Sequence, residues 1–276
     1  MIYTINKPNN FDLKQIFDCG QCFRFNKHKT KENTYCGVAF GKYLEVSQDN
    51  EKVYFHNTTK EIYEDVWHSF FDIDNNYGSI ISSFADDKML SEAATFSSGI
   101  RILKQAPWET LCSFIISQNN NIPRIKGIIE NMSIAYGEEF DMNGEKFYSF
   151  PTPKALADAG EEKIFALKTG FRAKYIYDAA CKIESGKINL DSIFNMNLED
   201  AMQTLMQIKG VGPKVASCVL LFGFSKYEAF PIDVWVKKIL AKYYADGVSS
   251  HLCGSNAGIA QQYLFYYERC KNNVYL

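Results

Sequence analysis

The spacing of apolar residues changes character once along this chain. From Thr34 to Asn57 apolar and polar positions alternate, in the runs TYCGVAF, KYLEVSQ and KVYFHN. A period of two puts one set of side chains on each face of a sheet. Phe40-Gly41 and Asp49-Asn50 interrupt the runs and predict hairpin turns. Residues 1–25 are ambiguous, and residues 11–18 fit a short helix or a strand. From about Lys60 the period lengthens to that of amphipathic helices: Asp65, Val66, Phe70 and Phe71 share one segment, and Ile80, Ile81 and Phe84 another. Helical patterning then continues almost throughout, with no internal repeat, low-complexity tract or flexible linker. The fold class that follows is α+β. Residues 1–105 hold a small antiparallel sheet with flanking helices, and residues 106–276 are helical, with the boundary near residue 105.

Within the helical region, IKGVGPKVASCVLLFGFSKYEAFPIDVW (208–235) is the most organised stretch. Gly210 and Gly212 flank Val211, and glycine allows positive φ and close backbone approach. Pro213 suits the first turn of a new helix. The turn therefore aims unpaired helix-start N–H groups outward, the makings of an anion site, most plausibly for phosphate. Lys214 follows at once, and Asp233 comes nineteen residues later, at the start of another helical pattern. Taken singly, a GVG turn is a common helix connector, the lysine a solvated charge and the aspartate an N-cap.

Composition narrows the classes. The 276 residues are 46% apolar and 15% aromatic, which describes a globular chain long enough for two or three packed subdomains. The net charge of −2 argues against a globally basic coat protein. Local fields still differ, because acid gathers early, from Glu61 to Glu92. Base gathers later, at Lys163, Lys168, Arg172, Lys174, Lys182, Lys187, Lys209, Lys214, Lys226, Lys237, Lys238 and Lys242. The eight cysteines are scattered, as reduced thiols would be. Cys19-Gly20-Gln21-Cys22 has the form of a redox pair but runs into the β-like Phe23-Arg24-Phe25 instead of opening a helix. No apolar run reaches membrane-spanning length and no secretory signal is visible, so a cytoplasmic location is expected, nucleoid-associated in a bacterium. No His/Cys spacing suggests a metal.

Taken together, GVGPK and the Pro-Ile-Asp nineteen residues beyond its lysine resemble the helix-hairpin-helix DNA glycosylase superfamily, and within it the 8-oxoguanine DNA glycosylases. The resemblance runs from Gly20 to Phe265 with its motifs in order. It implies that Gly20, in Gly-Gln-x-Phe-Arg, accepts the N–H that only oxidised guanine carries on its five-membered ring. Asn119-Asn120-Asn121-Ile122-Pro123-Arg124 implies that Asn119 fills the gap left by the extruded base and Arg124 contacts the orphaned cytosine. Phe171-Arg172 implies a wedge that buckles the duplex, with Phe where relatives often have Tyr, and Arg172 joins Arg124 as an arginine that favours an orphaned cytosine over adenine. Lys214, Ser217, Cys218 and Leu221 share a helix face, and the family sets Cys218 against the flipped base. Gln261 and Phe265 also share a face, and the family uses such a pair to bind the pairing edge and stack on the lesion. Trp235 replaces the histidine of some relatives, and Pro123 is a second departure. The four closely spaced cysteines that hold an iron–sulfur cluster in some relatives have no counterpart, since only Cys253 and Cys270 lie beyond Cys218.

Base removal breaks the bond from the sugar's anomeric carbon to a ring nitrogen. It requires the base out of the stack, negative charge near the sugar and a nucleophile. Lys214 attacks only as the neutral amine, which a helix N-terminus and a dry pocket both favour. An ionised Asp233 would stabilise the oxocarbenium-like sugar or assist proton transfer. The amine adduct becomes a Schiff base, which allows β-elimination, while Gly210, Val211 and Gly212 grip a phosphate without reading sequence. The expectation is a bifunctional 8-oxoguanine glycosylase and abasic-site lyase with its active site between two helical halves. It would act as a monomer on double-stranded DNA, with no cofactor. The alternatives are a related glycosylase for another damaged base and a non-catalytic DNA-binding module.

Overall fold

The alternating runs pair as their period requires. In the structure, a computed structural model that describes residues 1–142 and 144–272, they form β3 (Thr34–Ala39), β4 (Lys42–Gln48) and β5 (Lys52–His56). With β1 (Ile2–Asn6) and β2 (Phe25–Lys27) these make an antiparallel sheet of order β1-β5-β4-β3-β2. The register sets Val46 opposite Phe55 and Leu44 opposite Gly37. Leu44, Val46, Val53 and Phe55 are fully buried and bring one sheet face against Trp67, Phe70 and Phe71. Residues 13–18 resolve as a helix because Asp12 caps it, its side chain accepting from the Gln15 N–H at 2.8 Å.

Two elements escape the sequence pattern. β1 is an edge strand with no fully buried residue. A second hairpin, β6 (Glu139–Met142) with β7 (Glu145–Tyr148), interrupts the region read as helical and is exposed or half-buried along its length. Neither buries a face deeply enough to impose apolar alternation.

The remaining chain is helical, and two buried clusters organise it. The smaller one joins the sheet to the helix at 13–18 and to the helical run 60–70. The larger one holds the hairpin helix Pro213–Phe224, the helix Pro107–Ser117 packed along it, and the last helix, Ala257–Lys271. Tyr77, Ile80, Phe84, Leu90 and Ile100 also belong to this larger cluster. The two cores therefore interleave along the chain, with Cys19 and Phe23 in the larger one and Leu103 in the smaller.

A buried polar knot fastens the clusters together. Asp72 accepts from the hydroxyls of Tyr77 at 2.9 Å and Tyr227 at 2.7 Å, and pairs with Lys104 at 2.8 Å. Beside it, the buried Arg101 guanidinium donates to the carbonyls of Asp72, Ile73 and Asn75 and lies 4.3 Å from the Tyr77 ring centroid. Buried charge is tolerable only when satisfied this fully. Tyr227 begins the loop that leads to Asp233, so the knot ties that loop to the sheet half of the molecule.

Candidate active site

The turn at 208–212 forms as its glycines predict. Gly210 has φ +78°, and a side chain there would run into the Tyr175 ring, so the position excludes any other residue. The Lys209 N–H donates to Asp178 at 2.7 Å, and Asp178 is itself paired with Lys182 at 2.7 Å. Gly212 opens the hairpin helix with no side-chain cap, and Pro213 occupies its first turn. The first-turn N–H groups are therefore not taken by a capping side chain.

Four stretches far apart in sequence then meet. A small recess of 60 Å³ is lined by Cys19, Gly20, Phe114, Lys214, Cys218, Phe222, Pro231, Asp233, Gln261, Gln262 and Phe265. A single water needs about 10–15 Å³ of such space. The recess thus holds a few waters rather than a two-ring base, and admitting one requires lining side chains to shift. Every residue expected for catalysis or lesion contact lines it: Lys214, Asp233, Gly20, Cys218, Gln261 and Phe265.

Each is held by local structure. The Lys214 amine stands 5.3 Å from the Phe114 ring centroid, and Phe114 stacks on Phe222 at 5.4 Å. Burial pushes the Cys218 thiol up, opposed by the charge of Lys214 and a hydrogen bond from it, so the thiol stays neutral. Asp233 does serve as the N-cap of the helix Val234–Tyr243, accepting from the Val236 N–H at 2.8 Å through one oxygen. A carboxylate has acceptor sites to spare, so capping leaves room for a second role. Gln261 is 5% exposed and its side-chain oxygen has no partner within the protein. A buried acceptor left unsatisfied is costly, and this one belongs to a residue lining the recess.

Gly20 has φ +82°, where glycine is strongly favoured. Cys19 and Cys22, on either side, belong to different buried clusters, and burial pushes their thiols up to about 12 and about 11. Both are free and far from reactive, so the redox form of this motif has no chemical counterpart.

The expected opposite-strand residues gather elsewhere, on two neighbouring turns. Asn119 is exposed with φ +49°, after the helix Pro107–Ser117. Pro123 fits the first turn of the next helix, Ile122–Tyr136, which Asn121 caps. Arg124 is exposed and donates to the Lys168 carbonyl at 3.3 Å. Phe171 is 48% exposed, with its ring edge-on to Tyr175. Arg172, expected with Arg124 to favour the orphaned cytosine, has its guanidinium engaged within the protein. It is 2% exposed, donates to the carbonyls of Gln118, Asn119 and Thr169, and stands 4.4 Å over the Phe171 ring.

Sequence reasoning missed Cys19, Phe114, Phe222, Pro231 and Gln262 as lining residues. Phe114 and Phe222 read as ordinary core in apolar helices, which they also are. Gln262 gave a weak signal, a second amide beside Gln261 in an otherwise apolar run. Among the described residues no group of three or more His, Cys, Asp and Glu is arranged to hold a metal, and no helix is long and apolar enough to cross a membrane.

A glycine-turned hairpin followed by a lysine, with an aspartate closing the same recess, defines a helix-hairpin-helix glycosylase site. Two family descriptions match the chain: the N-terminal domain of 8-oxoguanine DNA glycosylase over residues 4–111, and the HhH-GPD superfamily of base excision DNA repair proteins over residues 112–250. The chain belongs to the 8-oxoguanine glycosylase branch of that superfamily. It is similar, at 40% identity and TM-score 0.89, to the Clostridium acetobutylicum 8-oxoguanine glycosylase/lyase, solved with duplex DNA containing cytosine opposite 8-oxoguanine. That likeness covers 98% of each chain. A structure of MBOgg1 with a low affinity DNA ligand is likewise 40% identical, with TM-score 0.93 over 98% of this chain and 96% of that one. A probable N-glycosylase/DNA lyase of Methanothermobacter thermautotrophicus is 34% identical over 66% of this chain and 63% of its own length. The chain spans between 42% and 66% of the length of three such curated relatives.

Proposed function

We propose that this protein excises 8-oxoguanine from double-stranded DNA and then cuts the strand at the abasic site. The observation that carries the reading is the meeting of Lys214, Asp233, Gly20, Cys218, Gln261 and Phe265 in one recess. The hairpin N–H groups bind a backbone phosphate and the target nucleotide swings into the recess as its lining side chains shift to admit the base. Gln261 gives its unpartnered oxygen to donors on the base's pairing edge, Gly20 accepts the N–H peculiar to the oxidised ring, and Phe265 and Cys218 take the two faces.

The neutral Lys214 amine attacks the anomeric carbon as the carbon–nitrogen bond to the base breaks; the base leaves with the bonding electrons and takes up the proton that the attacking nitrogen sheds. Asp233 stabilises the positive charge that builds on the sugar. Opening of the sugar ring gives an iminium, whose adjacent proton is lost as the 3′ phosphate departs. No redox step or metal enters this sequence. On the other strand Arg124 offers donors to an orphaned cytosine, which presents acceptors where adenine presents a donor and one acceptor. Excision is therefore faster opposite cytosine than opposite adenine.

Borohydride reduction tests the covalent step. The wild-type protein is expected to be trapped on duplexes carrying 8-oxoguanine, and Lys214→Gln to bind the same DNA without trapping or base release. Trapping that survives in Lys214→Gln would assign the nucleophile to another amine.

A further inference from the structure

The last helix presents two consecutive glutamines to the recess, and the second does something different from the first. Gln261 keeps an unpartnered oxygen, whereas Gln262, 3% exposed, donates from its side-chain nitrogen to the Cys19 carbonyl at 2.7 Å. That carbonyl belongs to the peptide leading directly into Gly20. On the far side of Gly20 the chain is fixed one residue further on, at Gln21. The Gln21 carbonyl accepts from Gln105 at 2.8 Å, and the buried Gln21 side chain bonds the Ile16 and Arg101 carbonyls and the Leu103 N–H. The Gly20 turn is thus pinned at both ends, at one end by a donor from the helix that carries Gln261 and Phe265.

We infer that Gln262 is a positioning residue for lesion discrimination, setting the orientation of the Gly20 peptide relative to Gln261. The inference rests on the proposed reading of the oxidised ring by Gly20. Glycine takes positive and negative φ about equally well, so the conformation at Gly20 (φ +82°) has to be selected by its surroundings. At Gly20, with no side chain of its own to anchor it, the bond between Gln262 and the Cys19 carbonyl supplies that hold from the recess side. Because Gln261 and Gln262 are adjacent on one rigid helix, the group that meets the pairing edge and the group that aims the ring reader keep a fixed separation. The oxidised ring carries a carbonyl and an N–H where guanine has a C–H and a bare ring nitrogen, and Gly20 reads the N–H, so small rotations of a single carbonyl decide whether that difference is read. The abasic site has no base, and its cleavage needs Lys214 but not this alignment.

The test compares two rates in one preparation: single-turnover release of 8-oxoguanine opposite cytosine, and nicking of a pre-formed abasic site. Gln262→Leu removes the donor while keeping the bulk, and leaves the buried Cys19 carbonyl without its partner. Base release is expected to fall about ten- to a hundredfold, and nicking by less than about threefold. Gln262→Glu, which sets an acceptor against an acceptor, should be no better than Gln262→Leu, and Gln262→His, which restores a donor, should recover part of the lost rate. Equal falls in both rates would reduce Gln262 to a packing role and overturn the inference, as would no change in either. Gly20→Ala separates this failure from failure of the underlying reading. If Gly20→Ala spares base release, Gly20 is not the reader. If it abolishes base release while Gln262→Leu does not, only the role of Gln262 falls.

Discussion

The recess and the opposite-strand turns are built on contrary principles. In the recess the side chains are fixed by burial, capping and stacking, yet key groups remain unsatisfied: the Gln261 oxygen has no partner and the first turn of the hairpin helix lacks a capping side chain. At residues 119–124 and 168–172 the chain is exposed or half-buried except at Thr169 and Arg172, and it bends through positive φ at Asn119, Lys168 and Gly170. There the cations are already occupied, with Arg172 bonded to three carbonyls and Arg124 to one. The recess thus keeps unsatisfied groups poised on well-held elements and has to open to admit a base, while on the proposed strand-reading side the arginines would exchange protein partners for DNA. Groups aimed in advance at developing charge favour the transition state, and exchangeable ones would test the strand before commitment.

The contrast is broken most severely at Asp233. Asp233→Asn keeps the cap on the helix Val234–Tyr243 and should cost under about 1 kcal/mol of stability. Its single-turnover excision should fall on the order of a hundredfold or more. An unchanged rate would leave Asp233 with its capping role alone.

Arg124→Ala tests the exchangeable side. Arg124 is exposed, so thermal stability should move by no more than about 0.5 kcal/mol. The preference for cytosine over adenine should shrink by about ten- to a hundredfold, the worth of a good base contact. Equal slowing of both pairings in matched single-turnover assays would make Arg124 a phosphate contact instead.

Arg172→Ala sharpens the comparison because the neighbouring arginine is buried. Leaving the carbonyls of Gln118, Asn119 and Thr169 without their donor should cost about 1–3 kcal/mol in denaturant unfolding. Both pairings should slow together, since the turn that carries Asn119 loosens. Arg172→Lys should not restore stability, because one ammonium cannot reproduce a planar fork over several carbonyls. A stable Arg172→Ala that loses only the cytosine preference would return Arg172 to direct base contact. The smallest effect is expected at Phe171. Phe171→Tyr should alter excision only a few-fold, because the work of a wedge is apolar unstacking.

How much of this was legible in the sequence follows from what each residue does. The sheet core announced itself because Leu44, Val46, Val53 and Phe55 alternate in sequence with the polar Glu45 and the half-exposed Tyr54. The β6–β7 hairpin did not, because its side chains bury too little to impose a pattern. In the site, Lys214 and Asp233 were visible because glycine and proline punctuation is itself the mechanical requirement at a hairpin. Gln261 and Phe265 stood out only through resemblance, their i, i+4 spacing being common to any helix. The burial of Arg172 was beyond reach, since a basic residue in a loop start reads as solvated until the carbonyls around it are known. Gln262 stayed hidden for a related reason: its partner is a main-chain carbonyl 243 positions away.

The knot at Asp72 bears on how such proteins can be divided and recombined. The segment that looks most like a self-sufficient catalytic module, beginning near residue 106, contains Tyr227 but not the carboxylate to which its hydroxyl is tied. It also lacks the Cys19–Gly20 turn that completes the recess. Transplanting the helical half onto a foreign partner would therefore leave the loop to Asp233 without its tether and the base pocket without a wall. The two halves can diverge in sequence, but they have to be inherited as one working unit.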